Sequence, residues 1–468
     1  MDAYKPVNAK IKIKPVYPVM THSGAYEGPC RVGKKEDLTP AAEMVRFRRG
    51  FDDFCEDLRS RIGPHGEVLE PVMLQWADDF VVPGAQLDAL APEVHEADIV
   101  LIGASGLQQM PAVRIAERYA KPMVMMGQVA ASDITAYLRA RGMEGYCCLD
   151  YADLNYFLSL LRVRKALQQT RLLVAMKGNL LTSGVVSGIS DLESLKERLG
   201  VESVLVNSDD ILGAMRKLSA EELEEAEQLT DRLLANSEET SMSADDLLPS
   251  VKFYLAARQT LARYEANAFT IPCFEVCASQ VMEQERVAFC LTHTLLKDEG
   301  IPSACEGDIN VLMAMAVLMY LSRRSAHMGN VMVQDRAKNI IGVHHNVPGL
   351  KMKGFDAPDL PYAVVNFTQG GWGGTIRYDI SRDIGRPVTI ARFNPQATKL
   401  LVASGEVTGC AGYTEVGCSL RYEMKIADAD EFYELHQDFG HHFGLVLGDY
   451  AESLKDLGGL AGFEVVTV

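Results

Sequence analysis

The chain has 468 residues, 48% hydrophobic and 23% charged, with 38 Gly and 19 Pro. That is the make-up of a globular protein of several domains and excludes a disordered or fibrous one. Forty-six Lys and Arg against 63 Asp and Glu leave a net charge of −17, which repels phosphate backbones and anionic lipid. Nucleic acid and membrane surfaces are thereby set aside as partners, and metal cations and neutral solutes remain.

The amino terminus, MDAYKPVNAKIKIKPVYPVM, alternates Lys with Ile and Val and has no apolar signal-peptide core, so it reads as a first strand. Short apolar runs at 11–19, 68–74, 99–103 and 122–126 alternate with helical spacing at 38–58 and 111–119. This alternation predicts a parallel sheet covered by helices. The run IVLIGASG at 99–106 is a strand that ends in a Gly-rich turn, the place where open α/β sheets bind ligands and also where they merely turn. A second α/β unit begins at Arg171: the strand RLLVAMKG, the loop NLLTSGVVSGIS, a helix near 191–199 and a strand at 203–207. The acidic helix 219–239, with EELEEAEQ, has a solvated face, and a polar break at 240–243 precedes a longer helix, 244–266.

After about His345 the pattern changes to β-like runs at 362–367, 374–380, 387–392, 400–407 and 420–426, separated by Gly, Pro and Asn turns. A helix at 428–438, a strand at 443–448, a helix at 450–461 and a short tail close the chain. The expected fold is two parallel-sheet α/β domains, 1–170 and 171–345, followed by a C-terminal antiparallel β-rich, barrel-like domain, 346–468, with a terminal helix. The longest apolar run, 311–321, is well short of the ~20 residues that a bilayer span needs. The ten cysteines show no paired spacing of a secreted framework, so a reduced cytoplasmic protein is expected.

The densest chemistry lies in IPSACEGDIN, followed by the apolar helix VLMAMAVLMYL. Glu306 ends a short strand beside Gly307, where a carboxylate is usually paired or metal-bound. Asp308 is placed to cap the helix, and the Met-rich helix itself reads as core. Cys305 reads as a small buried packing residue. Among ten histidines, two adjacent pairs stand near element ends, His344–His345 and His441–His442. Together with Glu306 they point to a divalent site with mixed nitrogen and oxygen ligands.

The strings ACEGDIN, HMGN, KNIIGVHH, GRPVTIARF and GHHFGLVLGDY, in that order, resemble the fucose isomerase-like branch of the L-fucose and L-arabinose isomerase superfamily. The resemblance is strongest from about Ile301 onward. It implies a metal-dependent aldose–ketose isomerase that works through an ene-diol, with manganese as the expected cation. Carried over by position, Glu306 becomes metal ligand and acid/base and His442 a metal ligand, with His441 the alternative if the register slips by one. His345 becomes a further ligand or a sugar contact. The branch has an aspartate where this chain has Asn330, an amide that can offer oxygen to a metal but cannot carry a proton. Asp308 and Asp335 are then candidates for the second carboxylate. Trp372, in FTQGGWGGTIRY, reads equally as an apolar wall for a sugar and as a ring packed inward in a hairpin. Arg392 reads either as a contact for an anionic substituent or as a partner of surface acids, and the second is the expectation. The resemblance also implies a homo-oligomer, trimeric or hexameric. The rival readings are a non-catalytic sugar-binding or sensing protein, and an epimerase or lyase on the same frame.

Overall fold

A computed structural model describes residues 4–28, 33–103, 108–176 and 178–468. The chain divides into two compact units, Ala9–Arg162 and Met1–Asn8 with Val163–Val468.

In the first unit, six parallel strands form one sheet around the long strand Ile11–Thr21. One flank of that strand pairs with Gly66–Val68 and then Val72–Ala77. The other flank pairs with Ile99–Ile102, followed by Met123–Met126 and Gly145–Cys148. Ile99–Ile102 and Met123–Met126 are buried throughout, as parallel strands covered on both faces must be. The run expected as one strand at 68–74 is two, because Pro71 between them has no N–H for a ladder. The Gly-rich turn expected at 103–106 lies, from residue 104 onward, outside the described residues.

The second unit holds a four-stranded parallel sheet ordered Ser303–Ala304, Ala268–Thr270, Arg171–Val174, Glu202–Leu205. Its helices start where the sequence signals them: Asp191 caps Leu192–Leu199, and Ser219 with Glu222 forms a capping box on Ala220–Ala235. That acidic helix buries only Ala226, Thr230 and Leu233, so its charges do face water. A hairpin of Ala363–Asn366 and Gly374–Arg377, extended by Glu239–Thr240, is a separate sheet. Val364 and Ile376 belong to the same core as Phe253 and Phe289. These two runs therefore pack on helices and stand apart from the barrel.

The barrel has six antiparallel strands: Pro387–Phe393, His442–Leu447, His327–Asp335, Ile340–His344, Arg421–Ile426 and Lys399–Ala411, the last pairing back to the first. Closure leaves no free edge among the six. Two of these strands precede residue 346. The expected short tail is also a strand, Glu464–Thr467, added in parallel to Lys399–Ala411. The helix Ile309–Ser322 is buried from Ile309 to Tyr320, as an all-round apolar helix must be. It touches the barrel where Gly444 lets it: a Cβ there would lie 2.7 Å from Met315 Cγ. No helix among the described residues is long and apolar enough to cross a membrane.

Candidate functional site

The chain leaves the edge strand Ser303–Ala304 and turns through Cys305, Glu306 and Gly307 into the buried helix. Glu306 has φ +60° and Gly307 φ +70°. Glycine adopts this region freely, whereas a side-chain-bearing residue there costs ~1–2 kcal/mol. Three hydrogen bonds hold the turn. Thr182 Oγ1 donates to the Glu306 carbonyl at 3.1 Å. Gly307 N–H donates to Ile271 at 3.0 Å, and Asp308 N–H to Cys305 at 3.2 Å. The loop after Thr182 runs so close that a Cβ on Gly184 would lie 2.7 Å from Glu306 Oε2.

The turn aims the Glu306 carboxylate at two barrel histidines. His345, just beyond the strand Ile340–His344, has Nε2 3.2 Å from Glu306 Oε1. His442, which opens the strand His442–Leu447, has Nε2 3.7 Å from Oε2. One ligand atom from each of the three residues lies within 4.8 Å of the others. Both imidazoles are fully buried.

Asp308 sets the orientation of His442. Its Oδ1 accepts the Val311 N–H at 3.1 Å, which is the expected helix cap. Its Oδ2 lies 3.0 Å from His442 Nδ1. A carboxylate only accepts, so Nδ1 carries a proton, and Nε2 is the ring nitrogen turned toward Glu306. Nε2 has no hydrogen-bond partner there. Arg392 completes the set: Nη1 donates to Asp308 Oδ2 at 2.6 Å and to the His442 carbonyl at 2.8 Å, and Nε to the Phe439 carbonyl at 2.6 Å. The expectation that Arg392 pairs with surface acids is therefore corrected. It is fully buried on a closed-barrel strand, and the buried Asp308 needs a cation.

Burial alone would raise the Asp308 carboxyl, but the Arg392 guanidinium and the His442 hydrogen bond hold it well below the usual range. Burial would raise Glu306 too, and the His345 hydrogen bond and the His442 imidazole bring it below its ordinary value. Burial lowers His345, with Glu306 opposing. The half-buried His441 is pushed down to about 4 by burial and by the neighbouring His442. Both effects favour neutral imidazoles beside an ionised carboxylate.

Other expected residues fall at different distances from this centre. Asn330 lies directly opposite His442 on one side and His344 on the other, and opposed residues share a face. Asp335, five residues further along the same strand and roughly 17 Å away, is bound to Lys338 at the hairpin end. It is removed as a candidate. The His441 ring centre is 4.1 Å from that of His442, outside the three-residue group. Trp372 is half-buried against the core that contains Phe289. Cys305 is fully buried, as expected.

Two imidazole nitrogens, a carboxylate and a nearby amide make a mixed donor set suited to a divalent first-row cation. A buried imidazole nitrogen without a partner, backed on its other nitrogen by a carboxylate, is how metal-binding histidines are commonly held. Beside the 182–184 loop is a cavity of about 520 Å³, lined by Asn179, Thr182, Ser183, Ser208, Asp209 and Glu275 among others. That volume is within the range of small-molecule sites, and its lining mixes these polar groups with the apolar Met176, Leu181, Pro272, Val276 and Val281.

No protein-family profile matches the chain. It is 25% identical over 321 residues to proteins named sulfoquinovose isomerase from Priestia aryabhattai and Priestia megaterium, the match covering 66% of this chain and 66% of each relative. It is 23% identical over 255 residues to a sulfoquinovose isomerase from Alkalicoccus urumqiensis, covering 53% of this chain and 55% of the relative. The matched stretch is thus a little under two thirds of the length of these curated relatives. The chain is thus similar, at low identity, to proteins named sulfoquinovose isomerase, which agrees with the isomerase resemblance at superfamily level and singles out no branch of it.

Proposed function

We propose that this protein is a divalent-metal-dependent aldose–ketose isomerase acting on an unphosphorylated monosaccharide. The observation that carries the reading is the Glu306–His345–His442 cluster, with its unpartnered His442 Nε2 facing an ionised carboxylate. Glu306, His442 and His345 would hold the cation, with Asn330 adding an amide oxygen. A divalent cation held there would supply Lewis-acid stabilisation of the negative charge that develops on the sugar oxygens.

Glu306 moves the proton. As a carboxylate it takes a proton from the carbon beside the sugar carbonyl and returns it to the former carbonyl carbon, while the hydroxyl proton passes from O2 to O1 so that the carbonyl re-forms at C2; such a transfer contributes typically ~10²–10⁴-fold. Asp308 and Arg392 keep His442 in one tautomer and one orientation through the cycle. Burial of His345 and His442 keeps water from competing for their nitrogens. The cavity beside the 182–184 loop takes the remainder of the sugar, and Trp372 and His441 are held in reserve as walls for its carbon face. The relatives act on sulfoquinovose by name, so a sulfonated hexose heads the substrate panel, followed by neutral aldoses. We further propose a cytoplasmic homo-oligomer, a trimer or hexamer, which sedimentation of the purified protein tests.

The experiment is a sugar panel assayed with added manganese, in parent and Glu306→Gln. The variant removes a proton carrier at constant volume, so turnover is expected to fall ~10²–10⁴-fold with circular dichroism unchanged. Near-parental activity in Glu306→Gln sinks the assignment. One observation favours a second reading, a sugar-binding protein without turnover: Asn330 replaces the expected carboxylate. Saturable sugar binding by calorimetry, with no isomerisation of any bound sugar, decides for it.

A further inference from the structure

Cys273 opens the helix Cys273–Ala278, which follows the strand Ala268–Thr270. Cys305 follows the strand Ser303–Ala304. The two strands are parallel neighbours, with Phe269 opposite Ser303 and Thr270 opposite Ala304. Both cysteines therefore emerge at the carboxyl ends of adjacent strands, and their sulfurs stand 2.9 Å apart. Cys305 is fully buried and Cys273 is partly exposed. An approach of about 0.9 Å brings the sulfurs to the ~2.05 Å of a disulfide.

We propose that Cys273 and Cys305 are a site of reversible oxidation by peroxide, forming a disulfide that fixes the turn bearing Glu306. The sulfur of Cys273, the partly exposed residue of the two, attacks one oxygen of hydrogen peroxide. The O–O bond breaks, the thiol becomes a sulfenic acid and one water leaves. The Cys305 sulfur then attacks the Cys273 sulfur: the S–S bond forms, the S–O bond breaks, and the hydroxyl departs as a second water with the Cys305 proton. Two thiols lose two electrons in all, and peroxide is reduced to two waters. A dithiol restores the pair by exchange.

The bond would join three elements of the site. Cys305 precedes Glu306. Two residues beyond Cys273, Glu275 accepts the Ser183 N–H, and Ser183 adjoins Gly184, which lies against the Glu306 carboxylate. Metal–donor distances hold to within about 0.2 Å, so drawing Cys305 toward Cys273 alters the placing of the adjacent Glu306 carboxylate relative to His345 and His442. This consequence rests on the metal reading above; the cross-link itself does not.

The test treats the reduced, folded protein with hydrogen peroxide, alkylates the remaining thiols and digests it without reductant. A peptide linking 273 to 305, the loss of two free thiols and reversal by dithiothreitol are expected. Manganese affinity, measured by calorimetry, should weaken at least tenfold on oxidation and recover on reduction. Cys273→Ser should keep the parent's manganese affinity before and after peroxide. Absence of the 273–305 peptide, or a link through the exposed Cys277 or Cys418 in its place, overturns the pair. A 273–305 link that leaves manganese affinity unchanged overturns its control of Glu306. If the reduced parent binds no manganese, the metal reading falls, and the peptide map alone decides the pair.

Discussion

Asp308 gives one oxygen to the helix cap and the other to His442 and Arg392, so a single carboxylate couples helix start, ligand orientation and a buried cation. Asp308→Asn keeps the cap geometry but removes the charge. Manganese affinity should fall ~10–100-fold, as for other lost partners of metal-bound histidines. Unfolding free energy should drop by about 3–5 kcal/mol, because Arg392 is left buried and uncompensated; calorimetry and urea melts read the two effects. At Asn330 the opposite change is expected: Asn330→Asp places a full negative charge opposite His442 and should tighten manganese binding. Unchanged affinity would put position 330 beyond reach of the cation. Lys297 is fully buried and donates to the Val347 carbonyl, and burial pushes it down from 10.5 to about 7. Above pH 7 the unfolded chain holds the Lys297 proton and the folded one does not, so stability rises with pH until the unfolded lysine also titrates. From pH 7 to 9.5 the gain should be about 3 kcal/mol, and Lys297→Met should abolish that slope in paired denaturant melts. At this scale the sequence announced Glu306, beside Gly307 at an expected strand end, and the two histidine pairs, although the strand stops at Ala304 and leaves Glu306 in the turn that follows. It could not announce Arg392, because the partner that explains its burial lies 84 residues away.

Among elements, the strand pair His327–Asp335 and Ile340–His344 carries the site's tolerance limits. A Cβ on Gly329 would stand 2.7 Å from the His344 carbonyl carbon and 2.8 Å from its nitrogen, contacts that only backbone movement relieves. Gly329→Ala should destabilise by about 1–3 kcal/mol and weaken manganese binding, because His345 follows directly on the displaced strand. Unchanged melts and unchanged affinity would contradict this account. Turn residues and period-two runs made most barrel strands readable before any coordinates. They did not separate the 363–377 hairpin from the barrel, since period two says which residues share a face and nothing about what that face meets. The closing strand Glu464–Thr467 escaped for a related reason: four residues at the chain end carry too little pattern to distinguish a strand from a tail.

For the molecule as a whole, the α/β character of both units and the β-rich end follow from the order of periodic segments, which local sequence records well. The closure of the barrel, and the meeting of Glu306 with His345 and His442, depend on pairings between distant segments, which it records poorly. Removing a cation that binds only the native state should lower the melting temperature, and manganese should restore it, by mass action. Identical melts with EDTA and with manganese would remove the metal from the picture.

Because the six strands close on one another, no amide of the His442–Leu447 ladder can be released by peeling away an edge. Deuterium should therefore enter that strand and its neighbour His327–Asp335 on the timescale of global unfolding, later than the hairpin Ala363–Asn366 with Gly374–Arg377, whose sheet ends in open edges. The half of the site built on the barrel would then be the last part of the protein to lose its shape, and ageing or heating should disable the Glu306 turn first.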